Sequence, residues 1–420
     1  MLPVRALVIA WLVSTSACGY PPLPRVNDGG GDPCTTSSDC KTAGFAVCDR
    51  SRDNGTCVQC TDVEGGACSG GTPACVNDSC AACTAHSQCA SHACLPGGAC
   101  ADATQVAYVR PGGAGATCTV AQPCQKVSDA VKTGKSIVKV EGMVTEDMSI
   151  VVDGRALQIV ADPGSRLTRT GSGVILDVKN TGADLRVSDL EITGGMGLKT
   201  DATLSLSGSG SPTLTLVRVQ LHDNQGVGIV AGAGVLTVTQ SVLARNAGGG
   251  ISITSAQFDI TNSFITGNGT AIGSAATSVG GIALVQADTG TRRIQFNTIA
   301  DNSVAMSLVA GVNCTIAQSA TFSNNIVWNN TSGTSKLQIG GNCLWLYSDI
   351  GDPAASTPPP GTGNLGVDPS FATPGIDYHL TPLSPARNAA DPAATLAVDI
   401  DGDARPQDGR SDMGADELRR

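Results

Sequence analysis

The sequence predicts an all-β solenoid of stacked parallel strands, and three observations indicate it. Two apolar columns recur in six copies between about Ala183 and Asn330, while the gaps between the copies vary. Each copy carries short segments rich in Val, Ile, Leu and Thr, separated by Gly, Asn and Asp, as strands do. One further offset holds Asn in five of the six copies. Fixed local spacing with variable gaps is typical of a coiled repeat whose loops differ in length.

Each copy is anchored on an apolar residue, and the anchors are Ile192, Leu221, Leu243, Ile265, Ile299 and Val327. Five residues before them stand Val187, Leu216, Val238, Ile260, Ile294 and Phe322, and seven before them Leu185, Leu214, Leu236, Phe258, Arg292 and Ala320. Side chains two residues apart on a strand face the same side. Parallel strands normally need a crossover helix, and no gap shows a helical pattern. The chain is therefore expected to coil on itself.

Such a coil is the right-handed parallel β-helix, which is predicted for residues 101–351, and the repeat segment resembles the pectin-lyase-like family of that fold. The Asn column lies three residues after the anchors and holds Asn224, Asn246, Asn268, Asn302 and Asn330. Because Asn tolerates a left-handed backbone and stacked amides hydrogen-bond along the axis, the column predicts a ladder at a corner. The alternative is a ligand-binding face that also includes the neighbouring Asp223, Arg245 and Asp301.

Composition excludes some classes of partner. The net charge is −10 and the sequence has no basic stripe, which argues against nucleic-acid binding. Seventeen Cys, concentrated in the first quarter of the chain, indicate an oxidising compartment. No cofactor is expected to be required.

The N-terminus predicts export and lipid attachment. Residues 1–17 combine Arg5 with a short apolar core, as in a signal peptide, and that core is too short to span a membrane. Thr15-Ser16-Ala17-Cys18 resembles the bacterial lipobox, which implies a lipid on Cys18; Thr15 departs from its usual Leu. Removing Cys18 leaves sixteen Cys, an even number suited to disulfides. Residues 18–33 are expected to form a tether.

Residues 34–100 hold twelve Cys in three groups of four, which predicts three small modules with about two disulfides each, forming a stalk. A zinc site is the alternative, because Cys57/Cys60 and Cys80/Cys83 form two C-x-x-C pairs, with His86 and His92 nearby. The oxidising compartment favours disulfides.

Further pairings and a cap follow from the coil. Cys118 and Cys124 are expected to close a short loop, and residues 125–132 to form a helix that covers the N-terminal end. Cys314 and Cys343 stand at near-equal phase after neighbouring anchors, 15 and 16 residues on, which predicts a disulfide between adjacent coils.

No catalytic residue is assigned. The resemblance implies, for lyases, Asp clusters that bind Ca²⁺ with an Arg or Lys base and, for polygalacturonases, clustered Asp with His; their motifs do not appear in this sequence. Asp223 and Asp301 would lie three coils apart, roughly 14 Å at the strand spacing, too far for a glycosidase pair.

The segment 352–420 is expected to pack on the coil. Its motifs, ending in Asp412-Met-Gly-Ala-Asp-Glu417, resemble the C-terminal signature of choice-of-anchor Q surface proteins, in which Tyr usually stands where this chain has Asp416. Asp399, Asp401 and Asp403 suggest a structural Ca²⁺ loop, although the spacing is not that of an EF-hand. The alternative is a tight acidic turn in which Arg405 pairs with a carboxylate.

These features predict a protein anchored by lipid in the bacterial cell envelope, at the outer membrane or cell surface, that binds polysaccharide or has a structural role there. One alternative is a polysaccharide lyase or glycoside hydrolase with an unfamiliar site. Another is an adhesin that binds a protein partner through the Cys-rich stalk. The sequence leaves the oligomeric state open.

Overall fold

The computed structural model describes residues 32–51, 55–61, 68–270, 277–285, 290–305, 308–316, 319–333, 335–353 and 358–419. The predicted signal peptide, Cys18 and the part of the predicted tether before residue 32 lie outside this range. The chain divides into two compact units, one ending at Ala81 and the other beginning at Ala82. Within the described ranges, no helix has the length and apolarity needed to cross a membrane.

The first unit contains two disulfide modules. Two short hairpins form it, from β1 (Val47–Asp49), β2 (Thr56–Val58), β3 (Ala74–Val76) and β4 (Ser79–Ala81), with a 3-10 turn at Ser37–Asp39. In both modules the first Cys bonds the third and the second bonds the fourth, giving Cys34–Cys48, Cys40–Cys57, Cys60–Cys75 and Cys68–Cys80. Cys57, Cys60 and Cys80 of the two C-x-x-C pairs are therefore in disulfides, and Cys83 bonds Cys94. The zinc alternative required these cysteines to be free thiolates.

The third module repeats this connectivity, with Cys83–Cys94 and Cys89–Cys100, but it belongs to the second unit. It contains a 3-10 turn at His86–Gln88, and a second one follows at Ala103–Gln105. Ala93 and Ala101 pack with Tyr108 and Val160 of the first coils, and the Tyr108 hydroxyl donates to the carbonyl of Ser91 at 2.7 Å. The boundary predicted after residue 100 therefore differs from the observed one, because the module shares apolar contacts with the coil.

Three parallel sheets build the rest of the second unit. Sheet I has ten strands: β5 (Val106–Val109), β6 (Ile137–Val140), β9 (Ala156–Ala161), β12 (Asp184–Ser188), β15 (Thr213–Val217), β18 (Val235–Thr239), β21 (Gln257–Thr261), β24 (Arg292–Gln295), β28 (Thr321–Ser323) and β32 (Leu344–Leu346). Sheet II has nine: β7 (Met143–Glu146), β10 (Arg166–Arg169), β13 (Glu191–Thr193), β16 (Gln220–His222), β19 (Val242–Ala244), β22 (Phe264–Thr266), β25 (Thr298–Ala300), β29 (Ile326–Trp328) and β33 (Asp349–Gly351).

Sheet III has eight strands: β8 (Ile150–Asp153), β11 (Leu176–Lys179), β14 (Ala202–Ser207), β17 (Val227–Ala231), β20 (Gly249–Ile253), β23 (Ile282–Val285), β27 (Val312–Thr315) and β31 (Ile339–Gly341). A short pair, β26 (Ser303–Val304) and β30 (Thr331–Ser332), joins two neighbouring coils. Each complete coil contributes one strand to each sheet, so the predicted parallel β-helix is confirmed.

The predicted columns are confirmed by the register of the sheets. The anchors pair in order along sheet II, from Ile192 with Leu221 to Ile299 with Val327. The column five residues earlier pairs along sheet I, from Val187 with Leu216 to Ile260 with Ile294. These side chains are almost wholly buried and fill the interior. Burial of apolar area inside the coil is therefore what holds the stack together.

The helix α1 (Val127–Lys132) lies where the sequence predicts a cap. Val127 and Ala130 pack into the core of the coil. The buried carboxylate of Glu146 accepts the backbone N–H groups of Val127 and Ser128 at 2.6 and 3.3 Å. An acidic side chain at these N–H groups satisfies donors that a helix start leaves without partners.

The C-terminal segment, residues 358–419, folds back over the outer face of sheet II. It contains a hairpin of β34 (Phe371–Thr373) and β35 (Asp377–Leu380). A second apolar core forms between the segment and sheet II, from Phe264, Phe296, Ala300, Ile326 and Trp328 on the coil and Phe371, Tyr378, Leu380, Ala386, Ala390, Ile400, Met413 and Ala415 on the segment. The segment therefore covers one part of this face and leaves another part open.

Candidate functional site

The Asn column forms a buried ladder inside one corner of the coil. Asn224 Nδ2 donates to Asn246 Oδ1 at 2.8 Å, and the chain of amides continues through Asn268 and Asn302 to Asn330 at 2.9 to 3.0 Å. Beyond Asn330 the amide of Gln338 supplies the next step at 2.8 Å. All five Asn side chains are essentially inaccessible. The alternative of an Asn ligand face is wrong, because no ligand can reach these amides.

The left-handed backbone lies one residue before the ladder. Asp223, Arg245 and Asp301 have φ of 55°, 52° and 56°, whereas the ladder Asn residues do not have positive φ. The expectation that Asn itself takes the left-handed conformation is thus wrong. The residue before each Asn makes the corner, and its side chain therefore points outward while the Asn points in.

Asp223 and Arg245 form an ion pair between adjacent coils. Arg245 donates to both carboxylate oxygens of Asp223, each at 2.8 Å, and this guanidinium holds the pKa of the Asp223 carboxyl near 2. Asp301 does not join them. Its carboxylate accepts the Tyr378 hydroxyl at 2.7 Å and the Asn329 amide at 2.6 Å, under the C-terminal segment. The predicted row of charges along the edge is therefore split in two.

A groove of about 720 Å³ lies at the border between the open and covered parts of sheet II. Arg218, Gln220 and Arg245 line it from the coil, together with Gln240. The C-terminal segment contributes Ile376, Asp377, Tyr378, His379, Asp401 and others on the opposite side. Val242 and Phe264 supply apolar surface between these polar side chains. The groove thus combines planar polar groups with an apolar floor, as ligand sites in proteins do.

A polar network continues from the groove along the open part of the sheet. The imidazole of His222 contacts Asp223 at 2.7 Å through Nδ1 and Glu191 at 2.9 Å through Nε2. Arg166 pairs with Glu191 at 2.8 Å. Arg218 at the groove pairs with Asp189 at 2.6 Å, which raises the pKa of its guanidinium further. Side chains held in this way lose less entropy when a ligand binds.

His379 is the centre of a second polar cluster, on the segment side of the groove. Its Nδ1 lies 2.5 Å from Asp377 and its Nε2 lies 3.0 Å from Asp401. Burial lowers the pKa of the imidazole, but the hydrogen bond that it donates to Asp377 and the charges of Asp416 and Asp401 outweigh it and raise the pKa. Burial also raises the pKa of Asp416 to about 6.

The predicted calcium loop is wrong, because its three carboxylates do not converge. Asp399 is fully buried, and its oxygens accept the backbone N–H groups of Asp401, Asp403 and Glu417 at 3.0, 2.8 and 2.9 Å. Asp401 turns to His379, and Asp403 pairs with Arg419. The turn is the acidic turn given as the alternative, and Arg405 pairs with Glu417 at 3.0 Å.

The remaining predicted residues are cysteines. The structure joins Cys118 to Cys124 and Cys314 to Cys343, so that all sixteen cysteines after Cys18 form eight disulfides. Cys18, the predicted lipid attachment residue, lies outside the described residues.

Sequence reasoning missed the groove and the cluster around His379. Arg218 and Gln220 lie far in sequence from His379, and only the return of the C-terminal segment brings the two sides together. One sequence signal was available, since Asp416 stands where the resembling signature has Tyr.

The comparison with protein families agrees with the fold. Residues 202–349 match the model of a right-handed beta helix region. Residues 13–106 match a family of unknown function (DUF8331). The crystal structure of pectate lyase Pel9A is similar at 15% identity with a TM-score of 0.40, over 75% of this chain and 96% of that one. No curated protein matches. The chain is a right-handed parallel β-helix with a disulfide-rich N-terminal region.

Proposed function

We propose that this protein binds polysaccharide in the groove on sheet II, at the surface of the bacterial cell envelope. The observation that carries the proposal is the groove itself, in which Arg218, Gln220 and Arg245 face His379 and Asp401 across an apolar floor. Sugars offer hydroxyl groups and apolar ring faces, so this mixture suits them. Neighbouring coils repeat every 4.8 Å or so, which lets an extended polymer contact several coils at once.

The pairing of the groove carboxylates Asp377 and Asp401, and of the neighbouring Asp223, with basic side chains supports binding over catalysis. Asp377 and Asp401 both contact the imidazole of His379, and Asp223 is held by both donors of Arg245. A general acid needs a carboxyl group that is protonated near neutral pH. The hydrogen bonds from His379 instead lower the pKa of Asp377, and Arg245 lowers that of Asp223.

A glycan array probed with the full chain tests the proposal. Arg245→Gln removes a groove side chain while Arg293→Gln, its matched control, removes an Arg that pairs with Asp259 in the same two-donor geometry on sheet I, at 2.7 and 2.5 Å. Bound glycans should be lost with Arg245→Gln and retained with Arg293→Gln. Equal binding by both variants, or no glycan bound by the wild type, contradicts the proposal.

The same experiment separates binding from cleavage. Any glycan that binds is incubated with the protein, and the products are analysed for shortened chains. Intact glycan supports a binding role. New reducing ends or unsaturated sugars would show the alternative, a hydrolase or lyase.

The proposed location rests on the sequence around Cys18. A lipid on Cys18 would hold the chain at the envelope through the tether. Cys18→Ser expressed in a bacterial host should leave the membrane fraction, whereas wild type should stay in it. A mutant that remains with the membrane would exclude lipid attachment at this residue.

A further inference from the structure

The side chains of His379, Asp401 and Asp416 converge beside the groove. One potential ligand atom from each lies within 4.8 Å of the others. Metal ligands at bond lengths of about 2.0–2.2 Å lie roughly 3–4 Å from one another, so small side-chain rotations would close the set. Asp401 is exposed and lies on a turn, and it is therefore free to make the largest of these rotations.

Asp416 provides an independent observation. It is only 6% exposed, and one of its oxygens accepts the N–H of Leu380 at 2.7 Å. Among the described residues its other oxygen has no hydrogen-bond partner. This free oxygen is not among the fully buried atoms that lack a partner, so an ion from solvent can reach it. The Asp416 carboxylate belongs to the same cluster as His379, so a cation bound there would contact it.

Asp377 is placed to support the imidazole from behind. Its Oδ1 lies 2.5 Å from His379 Nδ1 and also accepts the backbone N–H of His379 at 3.1 Å. Both contacts fix the ring and leave Nε2 directed at Asp401. A carboxylate on the second nitrogen is the usual support of a metal-binding histidine, because it sets the tautomer and the ring orientation.

We propose that His379 Nε2, Asp401 and Asp416 bind a divalent transition-metal ion, with Zn²⁺ as the representative, and that Asp377 orients the imidazole. On binding, the proton on Nε2 leaves to solvent and the metal takes its place. One imidazole and two carboxylates favour Zn²⁺ over Ca²⁺, which takes oxygen ligands. Three protein ligands leave a coordination position open to the groove. The site does not depend on the proposed glycan binding.

The matched control is His222, which also lies between two carboxylates, those of Asp223 and Glu191. It has no third ligand: among the described residues, the His and carboxylate groups that come close enough to bind an ion are His379, Asp401 and Asp416. Removing His222 therefore removes an equivalent imidazole without affecting the proposed site.

Isothermal titration of the untagged full chain with Zn²⁺ tests the proposal. Wild type should bind one equivalent, and His379→Gln and Asp401→Asn should each abolish saturable binding. Asp377→Asn should weaken affinity by about 10–100-fold, as second-layer changes do. His222→Gln should bind as wild type does. Asp401 is exposed, so its variant should remain folded, which circular dichroism verifies.

Three outcomes would overturn the assignment. The first is no saturable Zn²⁺ binding by wild type, and the second is unchanged binding in both His379→Gln and Asp401→Asn. The third is a Ca²⁺ affinity equal to that for Zn²⁺, which would mean that the imidazole is not a ligand.

Discussion

The outer face of sheet II has two halves that differ in their side chains and in their exposure. On β10, β13 and β16 the outward side chains are polar, among them Arg166, Glu191, Gln220 and His222, and they are partly or fully exposed. On β22, β25 and β29 the same positions hold Phe264, Thr298, Ile326, Thr266, Ala300 and Trp328, all buried under the C-terminal segment. The coil is the same in both halves, so the outward residues decide where the segment packs.

This difference between the two halves explains how the groove forms on the coil. A large apolar side chain such as Phe264 or Trp328 favours burial by about 1.5–3 kcal/mol, which attracts the segment. Polar residues in the same column would lose water contacts under such a cover. The segment therefore stops near β19, and its edge and the open half form the two sides of the groove.

The first prediction compares one ion pair from each half. Arg405 and Glu417 are 0% and 1% exposed, and Arg405 also donates to the carbonyls of Asp412 and Gly414 at 3.0 and 2.9 Å. Arg405→Gln leaves a buried charge without its partner and should lower the free energy of unfolding by about 3–5 kcal/mol. Arg245→Gln removes an exposed pair in the open half and should cost less than about 1 kcal/mol.

Denaturant unfolding of both variants measures these two effects. Equal losses would mean that the segment contributes no more to stability than an exposed pair, and the contrast between the halves would not hold.

The second prediction concerns a carboxylate in the covered half. Asp349 stands in the same outward column as Phe264 and Ile326, and burial raises the pKa of its carboxyl to about 7. The folded state therefore binds a proton more tightly than the unfolded state, whose pKa is near 3.8. Stability from this group is fully present below pH 4 and is lost as the pH rises to 7, by at most about 4 kcal/mol.

Asp349→Asn should remove this decrease of the unfolding free energy with rising pH. The unfolding free energies at pH 5 and pH 8 should then be more alike than in wild type. Asp223→Asn in the open half is the matched control. The pKa of Asp223 is about 2 in the fold and near 3.8 in the unfolded chain, so both lie below this pH range. Asp223→Asn should therefore leave the difference in unfolding free energy between pH 5 and pH 8 as it is in wild type. If Asp349→Asn also left that difference unchanged, the burial argument would be contradicted.

The coil could be predicted from the sequence because it depends on spacings between residues that are close together in the chain. The columns ending at Ala320 and Phe322 follow from a spacing of two along a strand, and the phase of Cys314 and Cys343 follows from the length of a coil. The groove could not be predicted, because His379 meets Arg245 only after the segment folds back across the sheet. The calcium prediction failed for a similar reason: Asp399 is directed by backbone N–H groups of its own turn and of Glu417.

The third prediction concerns the interior of the coil. Substitutions there should cost similar stability beneath the open half and beneath the covered half of sheet II, and the Asn ladder tests this. Asn246 Nδ2 donates to Asn268 and to the carbonyl of Leu221 at 2.9 and 3.0 Å. Asn330, which lies beneath the covered half, donates to Gln338 and to the carbonyl of Ile299 at 2.8 and 2.9 Å. From the sequence alone, the position of Asn330 near the C-terminal end of the coil predicts that replacing it costs less stability than replacing Asn246. In the structure, however, the amide of Gln338 continues the ladder beyond Asn330.

Asn246→Leu and Asn330→Leu should each lower the free energy of unfolding by about 1–3 kcal/mol, because each leaves buried groups without partners. Asn313→Leu is the matched control, since Asn313 lies on β27 outside the ladder and is partly exposed, and it should change stability by less than about 0.5 kcal/mol. Thermal and denaturant unfolding measure all three. A clearly smaller loss for Asn330→Leu would mean that the ladder weakens toward its end, and unchanged midpoints for both would mean that these amides do not stabilise the coil.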